Sequence, residues 1–324
     1  MNVLSLFDGH STGYLALQRA GIKFDKYFAS EIAPDPIKIS EKHFPDIIRL
    51  GDVTKVRASD LPKIDLLIGG SPCQGFSRAG KCLNFDDPRS KLFFEYVRIL
   101  NEIRAINPEV KFFLENVKMK KEWIQVISES VGAEPIDLNS KLVAPQNRER
   151  IYWTNIPLLP YEITDPPLSS ILEDVDTTGF IEKDGLLFDP RIPESNRELV
   201  SVVNGEVRIK QSTKLGYIVP NDYDGVNLSF PGSKSRRGRV IRRKASCVTC
   251  TDRILVYYKG IFRYFTITEL ERLQTLPDGY TDVPGISESD RKEAIGNCWT
   301  TDVITLFFRG LPNTMDEIDE FLNS

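Results

Sequence analysis

Histidine is nearly absent from this 324-residue chain, which carries only His10 and His43. A hydrolase built on a cysteine–histidine pair needs an imidazole as general base, and neither histidine stands near a nucleophile in the chain. That chemistry is a poor fit. Cysteine is scarce and odd in number, five in all, with no secretory leader pattern ahead of the first. Free thiols in a reducing compartment are expected, hence a cytoplasmic location with access to nucleoid or host DNA. No apolar run approaches the length of a membrane span, so no membrane partner is expected. Excess positive charge is missing too: 42 Lys+Arg face 46 Asp+Glu, for a net charge of −4. This excludes a generally basic coat for nucleic acid and turns attention to local charge. Internal repeats and low-complexity tracts are absent. What remains is an ordinary globular composition, long enough for two domains or one large α/β domain with an insertion.

The first half alternates strand and helix patterns. Strands are predicted at 2–6, 26–30, 64–68 and 112–114, with helices at 13–20, 36–43 and 90–106. That order implies βαβ units and a mostly parallel sheet. The pattern breaks after Pro157. From there to about residue 262 the chain is rich in Pro, Gly and Asp, with short strand candidates at 202–203, 207–209, 217–219 and 254–258. This stretch reads as a smaller β-rich domain, residues 158–261. Helical pattern returns at 268–274 and 301–309, so 262–324 is expected to pack back on 1–157 as one domain.

Chemistry is expected where strands end. The run 64–68 leads into GGSPCQGFS (69–77), which offers Cys73 on a loop shaped by Pro72 and three glycines. Taken alone, a buried structural cysteine explains that thiol equally well. The first strand leads into FDGHSTGY (7–14), a glycine turn before a helix. The next ends in Glu31, eighteen residues beyond Gly13, an acid suited to ribose hydroxyls. Asp52 in GDV is a second carboxylate, suited to an adenine amino group. The GxGxxG fingerprint of dinucleotide enzymes is absent, which favours an adenosyl ligand. Glu115 ends the apolar strand of FFLENV (112–117), where a carboxyl group can hold or donate a proton. QNRERIYW (146–153) sets Gln146, Arg148 and Arg150 at period 2, a row suited to a base, a phosphate or a carboxylate. A strongly basic run, PGSKSRRGRVIRRK (231–244), holds seven Lys/Arg and no acid. Cys247 and Cys250 form a CxxC without a second pair at zinc spacing, so no metal is expected.

In this order, and with ITELERLQTLPDGY (267–280) and IGNCWTTDVI (295–304) behind them, the segments resemble the DNA (cytosine carbon-5) methyltransferases over nearly everything except about 158–245. TGY, GDV, GGSPC, KLFFEY, YTDV and Trp299 resemble the animal de novo subgroup, although Asn297 stands where that subgroup carries arginine. The resemblance implies an S-adenosylmethionine-dependent, Rossmann-like α/β fold with a smaller β-rich target-recognition domain. It implies a covalent mechanism in which Cys73 attacks cytosine carbon 6. Glu115 would hold ring nitrogen 3, Arg150 would bind the ring carbonyl and Arg148 would support the loop. S-adenosylmethionine would be held by Phe7, Asp8, Gly9, Glu31, Ile32, Asp52, Val53, Pro72, Leu92, Asn297 and Trp299.

The implied partner is double-stranded DNA, its target base flipped out of the stack, and the chain is expected to act as a monomer. Gln74, Ser77, Arg78 and Lys81, together with Arg89 and Lys91, form one expected DNA contact. Arg236, Arg237, Arg239 and Arg242 of the basic run form another. A tRNA cytosine methyltransferase of the same family and a catalytically dead DNA-binding paralogue stay open as alternatives.

Overall fold

In a computed structural model of the chain, residues 1–71, 91–251 and 254–311 are described. The predicted elements of the first half are present, with ends moved by up to three residues. They are β1 (Asn2–Leu6), α1 (Thr12–Arg19), β2 (Lys26–Ser30), α2 (Pro34–His43), β3 (Ile48–Arg49), β4 (Leu66–Gly69), α3 (Lys91–Ile106) and β5 (Lys111–Val117). Then come α4 (Lys121–Val131), β6 (Ile136–Asn139), β7 (Gln146–Asn147) and β8 (Glu149–Thr154).

Seven strands form one sheet in the order β3-β2-β1-β4-β5-β8-β6. The first five run parallel, and β8 lies antiparallel between β5 and β6. This is the expected α/β class. Buried runs such as Leu66–Gly69, apolar on both faces, demand cover on both sides. On one face α3 and α4 bury Phe93, Tyr96, Ile99, Leu100, Ile103, Ile127 and Val131 against the sheet. The other face is covered by Ala16 and Leu17 of α1 and by Val303, Ile304, Phe307 and Phe308 of α8 (Thr301–Phe308). Helix α8, the most apolar of the described helices, thus packs against the first unit.

The β-rich stretch builds β9 (Ile181–Lys183), β10 (Leu186–Phe188), the one-turn α5 (Glu194–Arg197), β11 (Val200–Val203), β12 (Glu206–Lys210) and β13 (Tyr217–Ile218). It continues with β14 (Asp224–Asn227), β15 (Arg239–Ile241), β16 (Ala245–Ser246), β17 (Leu255–Tyr258) and β18 (Ile261–Tyr264). A six-stranded sheet, β15-β14-β17-β18-β10-β9, and a three-stranded one, β11-β12-β13, share a core of their own around Phe188, Ile209, Val226 and Phe262. The stretch is anchored to the first unit by β16, which pairs in parallel with β7 (Ala245↔Gln146, Ser246↔Asn147).

Two further helices are present among the described residues. In α6 (Ile267–Leu273) Thr266 and Glu269 form a reciprocal capping box, and Glu269 also takes a bidentate Arg263 at 2.7 Å. The other is α7 (Glu288–Asn297), whose apolar residues, Ala294 and Ile295, form no stripe and so leave it invisible to periodicity; its signature is the Ser287 cap, which accepts from Asp290 N. Among the described residues no helix is long and apolar enough to cross a membrane.

Candidate active site

The carboxyl ends of β1, β2, β4 and β5 open on a cleft of about 430 Å³, closed from the far side by α7 and the turn after it. Its floor begins with the β1–α1 turn, where Phe7, Gly9 and Ser11 all adopt positive φ (57°, 57° and 63°). Two of these are not glycine, so the surroundings must hold the backbone in a left-handed conformation that costs energy. Glu31 is one such support: its Oε2 accepts from Gly9 N at 2.9 Å, and its Oε1 accepts from Ile32 N and Ala33 N at 2.8 Å. Beneath the turn Asp8 accepts from Ser11 Oγ and, at 2.8 Å, from the Tyr27 hydroxyl. Burial raises the Asp8 pKa against the lowering by these hydroxyls. Gly13 is glycine for packing, since a Cβ there would stand 2.5 Å from Ile68 Cδ1.

At the other end of the cleft β5 and β8 place Glu115 opposite Tyr152 and Val117 opposite Arg150. Glu115 and Arg150 are therefore diagonal neighbours on one face of the sheet. They form an ion pair, Arg150 Nε to Glu115 Oε1, at 2.8 Å. Trp299 Nε1 donates to Glu115 Oε2 at 3.2 Å. Arg148 sits between β7 and β8, 4% exposed. It donates to the carbonyls of Val248 (2.9 Å) and Cys298 (2.8 Å) and to Cys247 Sγ (3.3 Å). It pins the β16 segment to the turn after α7.

Of the expected site residues, Phe7, Asp8, Gly9, Glu31, Glu115, Arg148, Arg150, Asn297 and Trp299 share this cleft. Ile32, Asp52, Val53 and Leu92 do not line it. Ile32 is 71% exposed, while Val53 is buried in the core under α3, where Leu92 also packs. Asp52 caps a 3-10 turn, accepting from Thr54 N and Oγ1 at 2.9 Å each. Pro72, Cys73, Gln74, Ser77, Arg78, Lys81 and Arg89 lie outside the described residues. Gln146 is wholly buried, donating to Leu273 O and accepting from Val248 N, so it serves the interior rather than a ligand.

In the basic run Arg236 and Arg239 are exposed, with Arg236 stacked over Phe230. Arg237 donates to Gln211 O, and Arg242 is held 2.5 Å from the buried Asp224.

Residues unmarked by their motifs also reach the site. Asp35, Asp290 and Glu293 line the cleft, as does His10. His10 is 2% exposed, and burial lowers its pKa to about 4, so its imidazole is neutral at physiological pH. The two thiols of the CxxC face different partners. Cys250 donates to Asn297 Oδ1 at 3.1 Å, and the Cys247 sulfur lies against both site arginines. Burial alone would raise the Cys247 pKa, but the guanidinium groups of Arg148 and Arg150 outweigh it and bring it down. At Cys298 burial outweighs the lowering by the Arg148 guanidinium, and its pKa is pushed up to about 12.

The profile of one family, C-5 cytosine-specific DNA methylase, matches residues 1–312. The chain belongs to that family. It is 37% identical over 182 residues to the type II methyltransferase M.NlaIV of Neisseria lactamica, covering 48% of this chain and 42% of that protein. It is 40% identical over 171 residues to the orphan methyltransferase M.SPRI of Bacillus phage SPR, covering 48% and 38%. The matches thus span less than half the length of these curated relatives. The fold is similar to that of the Entamoeba histolytica methyltransferase EhMeth, with TM-score 0.64 and 16% identity over 98% of both chains.

The family's methyl donor fits the cleft by charge. Six acids line it, Asp8, Glu31, Asp35, Glu115, Asp290 and Glu293, against two arginines that are both engaged by protein groups. Such a lining repels a pyrophosphate and suits a ligand bearing a sulfonium and an ammonium.

Proposed function

We propose that this chain is a DNA (cytosine-5)-methyltransferase that acts on a cytosine flipped out of duplex DNA through a covalent adduct with Cys73. The observation that carries the reading is the Glu115–Arg150 ion pair, set at the strand ends of a cleft whose opposite wall is the Gly9–Glu31 turn. Ser71 lines the same cleft, and Cys73 follows it by two residues in the chain.

Cytosine carbon 5 is a weak nucleophile. The Cys73 thiolate bonds to carbon 6, and the electrons of the 5,6 double bond move onto carbon 5. Arg150 binds the ring carbonyl, and Glu115 holds the proton at ring nitrogen 3, so the charge that develops on the ring is neutralised where it forms. Arg148 keeps the segment carrying Arg150 in place. S-adenosylmethionine, when bound, supplies the electrophilic methyl that carbon 5 takes. Loss of the carbon-5 proton then restores the double bond and expels the thiolate. Phe7, Glu31, Asn297 and Trp299 hold the cofactor. Residues 158–261 serve target recognition, with Arg236 and Arg239 toward the phosphates, and the enzyme works as a monomer.

A duplex pool carrying 5-fluorocytosine in all short sequence contexts tests the reading, because fluorine cannot leave carbon 5 as a proton does. The expected result is a denaturation-resistant protein–DNA complex that needs S-adenosylmethionine and Cys73, and little complex with tRNA carrying the same base. Preference for tRNA would move the substrate to RNA. No adduct on either would leave a DNA-binding protein without this chemistry.

A further inference from the structure

Both carboxylate oxygens of Glu115 are engaged, one by an ion pair and the other by a hydrogen-bond donor. Arg150, from the adjacent strand β8, lies 2.8 Å from Oε1; Trp299, from the turn after α7, donates to Oε2 at 3.2 Å. The indole also lines the cleft and packs edge-on to Phe113, two residues before Glu115 on β5, at 5.7 Å and 77°. Gly70 gives an independent sign that this contact is built in. A Cβ there would stand 2.8 Å from Trp299 Nε1 and 3.3 Å from Glu115 Oε2. Only glycine leaves the pair room.

We propose that Trp299 is a positioning residue for Glu115, joining the acid that serves the base to the wall of the cofactor cleft. The proposal rests on the reading of Glu115 given above and goes beyond it. An indole N–H donates and cannot accept, so it orients the carboxylate without competing for its proton. The terminal torsion of a glutamate is otherwise broad. With one oxygen on Arg150 and the other on Trp299, that torsion is fixed. Because the same ring faces the cleft, cofactor binding and the orientation of the acid are coupled through one side chain.

The test uses the full chain and the variants W299F, E115Q, W299F/E115Q and G70A. W299F keeps an aromatic ring and removes the N–H. Its affinity for S-adenosylhomocysteine, by calorimetry, reads the share of Trp299 in holding the cofactor and is expected to fall. Its rate of methyl transfer at DNA and cofactor concentrations that saturate the variant itself should fall about tenfold, a loss in kcat that weaker cofactor binding does not produce. In the E115Q background the same substitution should change the residual rate by less than about twofold, since the ionisable carboxyl whose orientation it sets is gone even though the amide oxygen still accepts. G70A forces the pair apart from the other side and should reproduce the loss in kcat, which keeps the proposal open to test should W299F fail to fold. Equal slowing by W299F with and without Glu115 would overturn the proposal, as would weaker S-adenosylhomocysteine binding at an unchanged saturated rate. Full-rate methylation by E115Q would overturn the reading of Glu115 itself, and the proposal with it.

Discussion

Glu31→Ala separates two jobs that the structure gives to one carboxylate. Glu31 receives three backbone N–H groups, and that of Gly9 lies in a turn with three left-handed residues. Ile32 N is at an exposed residue and can turn to water, whereas Gly9 N and Ala33 N are partly buried and are left without their acceptor. The expected loss of stability is about 2–4 kcal/mol, the cost of two part-buried donors left unpaired. If the carboxylate also takes the ribose hydroxyls, the ligand loses a charged hydrogen bond as well, worth roughly 1.5–3 kcal/mol, or about 10- to 100-fold in Kd. Calorimetry with S-adenosylhomocysteine and with its 2′,3′-dideoxy analogue tells the two jobs apart. The parent protein should discriminate strongly between the ligands, and E31A should discriminate little. Undiminished discrimination in E31A, with or without weaker binding of both ligands, would refute the ribose role and leave Glu31 as a brace for the turn.

Other expectations follow from particular side chains. Exchanging Arg236 and Arg239 for Gln should flatten the salt dependence of DNA binding by about 0.9 log units for each phosphate that is no longer neutralised. Arg242→Gln should leave that slope alone and lower stability by about 1–2 kcal/mol instead, because its partner Asp224 is buried; a changed slope would place Arg242 on DNA. His10 has its pKa lowered to about 4 by burial, so between that value and its ordinary 6.5 the unfolded chain binds a proton that the folded chain refuses. Stability should therefore rise with pH across this window by about 1.4 kcal/mol per unit, and urea titrations of His10→Leu should lack that component. Glu269→Gln, which leaves the buried Arg263 with half a partner, should cost roughly 3 kcal/mol or more by denaturant unfolding; a loss under about 1 kcal/mol would show that the pair adds little beyond the helix cap.

Much of the site could be read along the chain because strand ends announce themselves locally. An apolar run followed by glycine marks β1 and β4, and an acid closing an apolar run marks Glu31 and Glu115. All of these stand at the cleft, since a parallel sheet delivers every such end to one edge. Helices with an apolar stripe, α1, α3 and α8, were legible to within two residues. The polar α7, which supplies Asp290, Glu293 and Asn297 to the cleft, has no stripe to betray it.

Tertiary structure alone decided which polar groups were free for a ligand. Asp52 caps its own turn, accepting from Thr54 N and Oγ1 two residues on, and nothing in the spacing tells whether it also takes an adenine amino group. Gln146 and Arg148 look like a binding row, yet they are spent on Leu273, Val248 and Cys298, about a hundred residues away or more. Arg242 belongs to a basic run and is claimed by Asp224. Trp299 and Glu115 meet across 184 residues at a point where Gly70 leaves the space. Periodicity and turn chemistry act over a few residues and so determine elements and their order. The pairing of buried donors with acceptors depends on which surfaces the fold presses together, and that is set by the whole core at once.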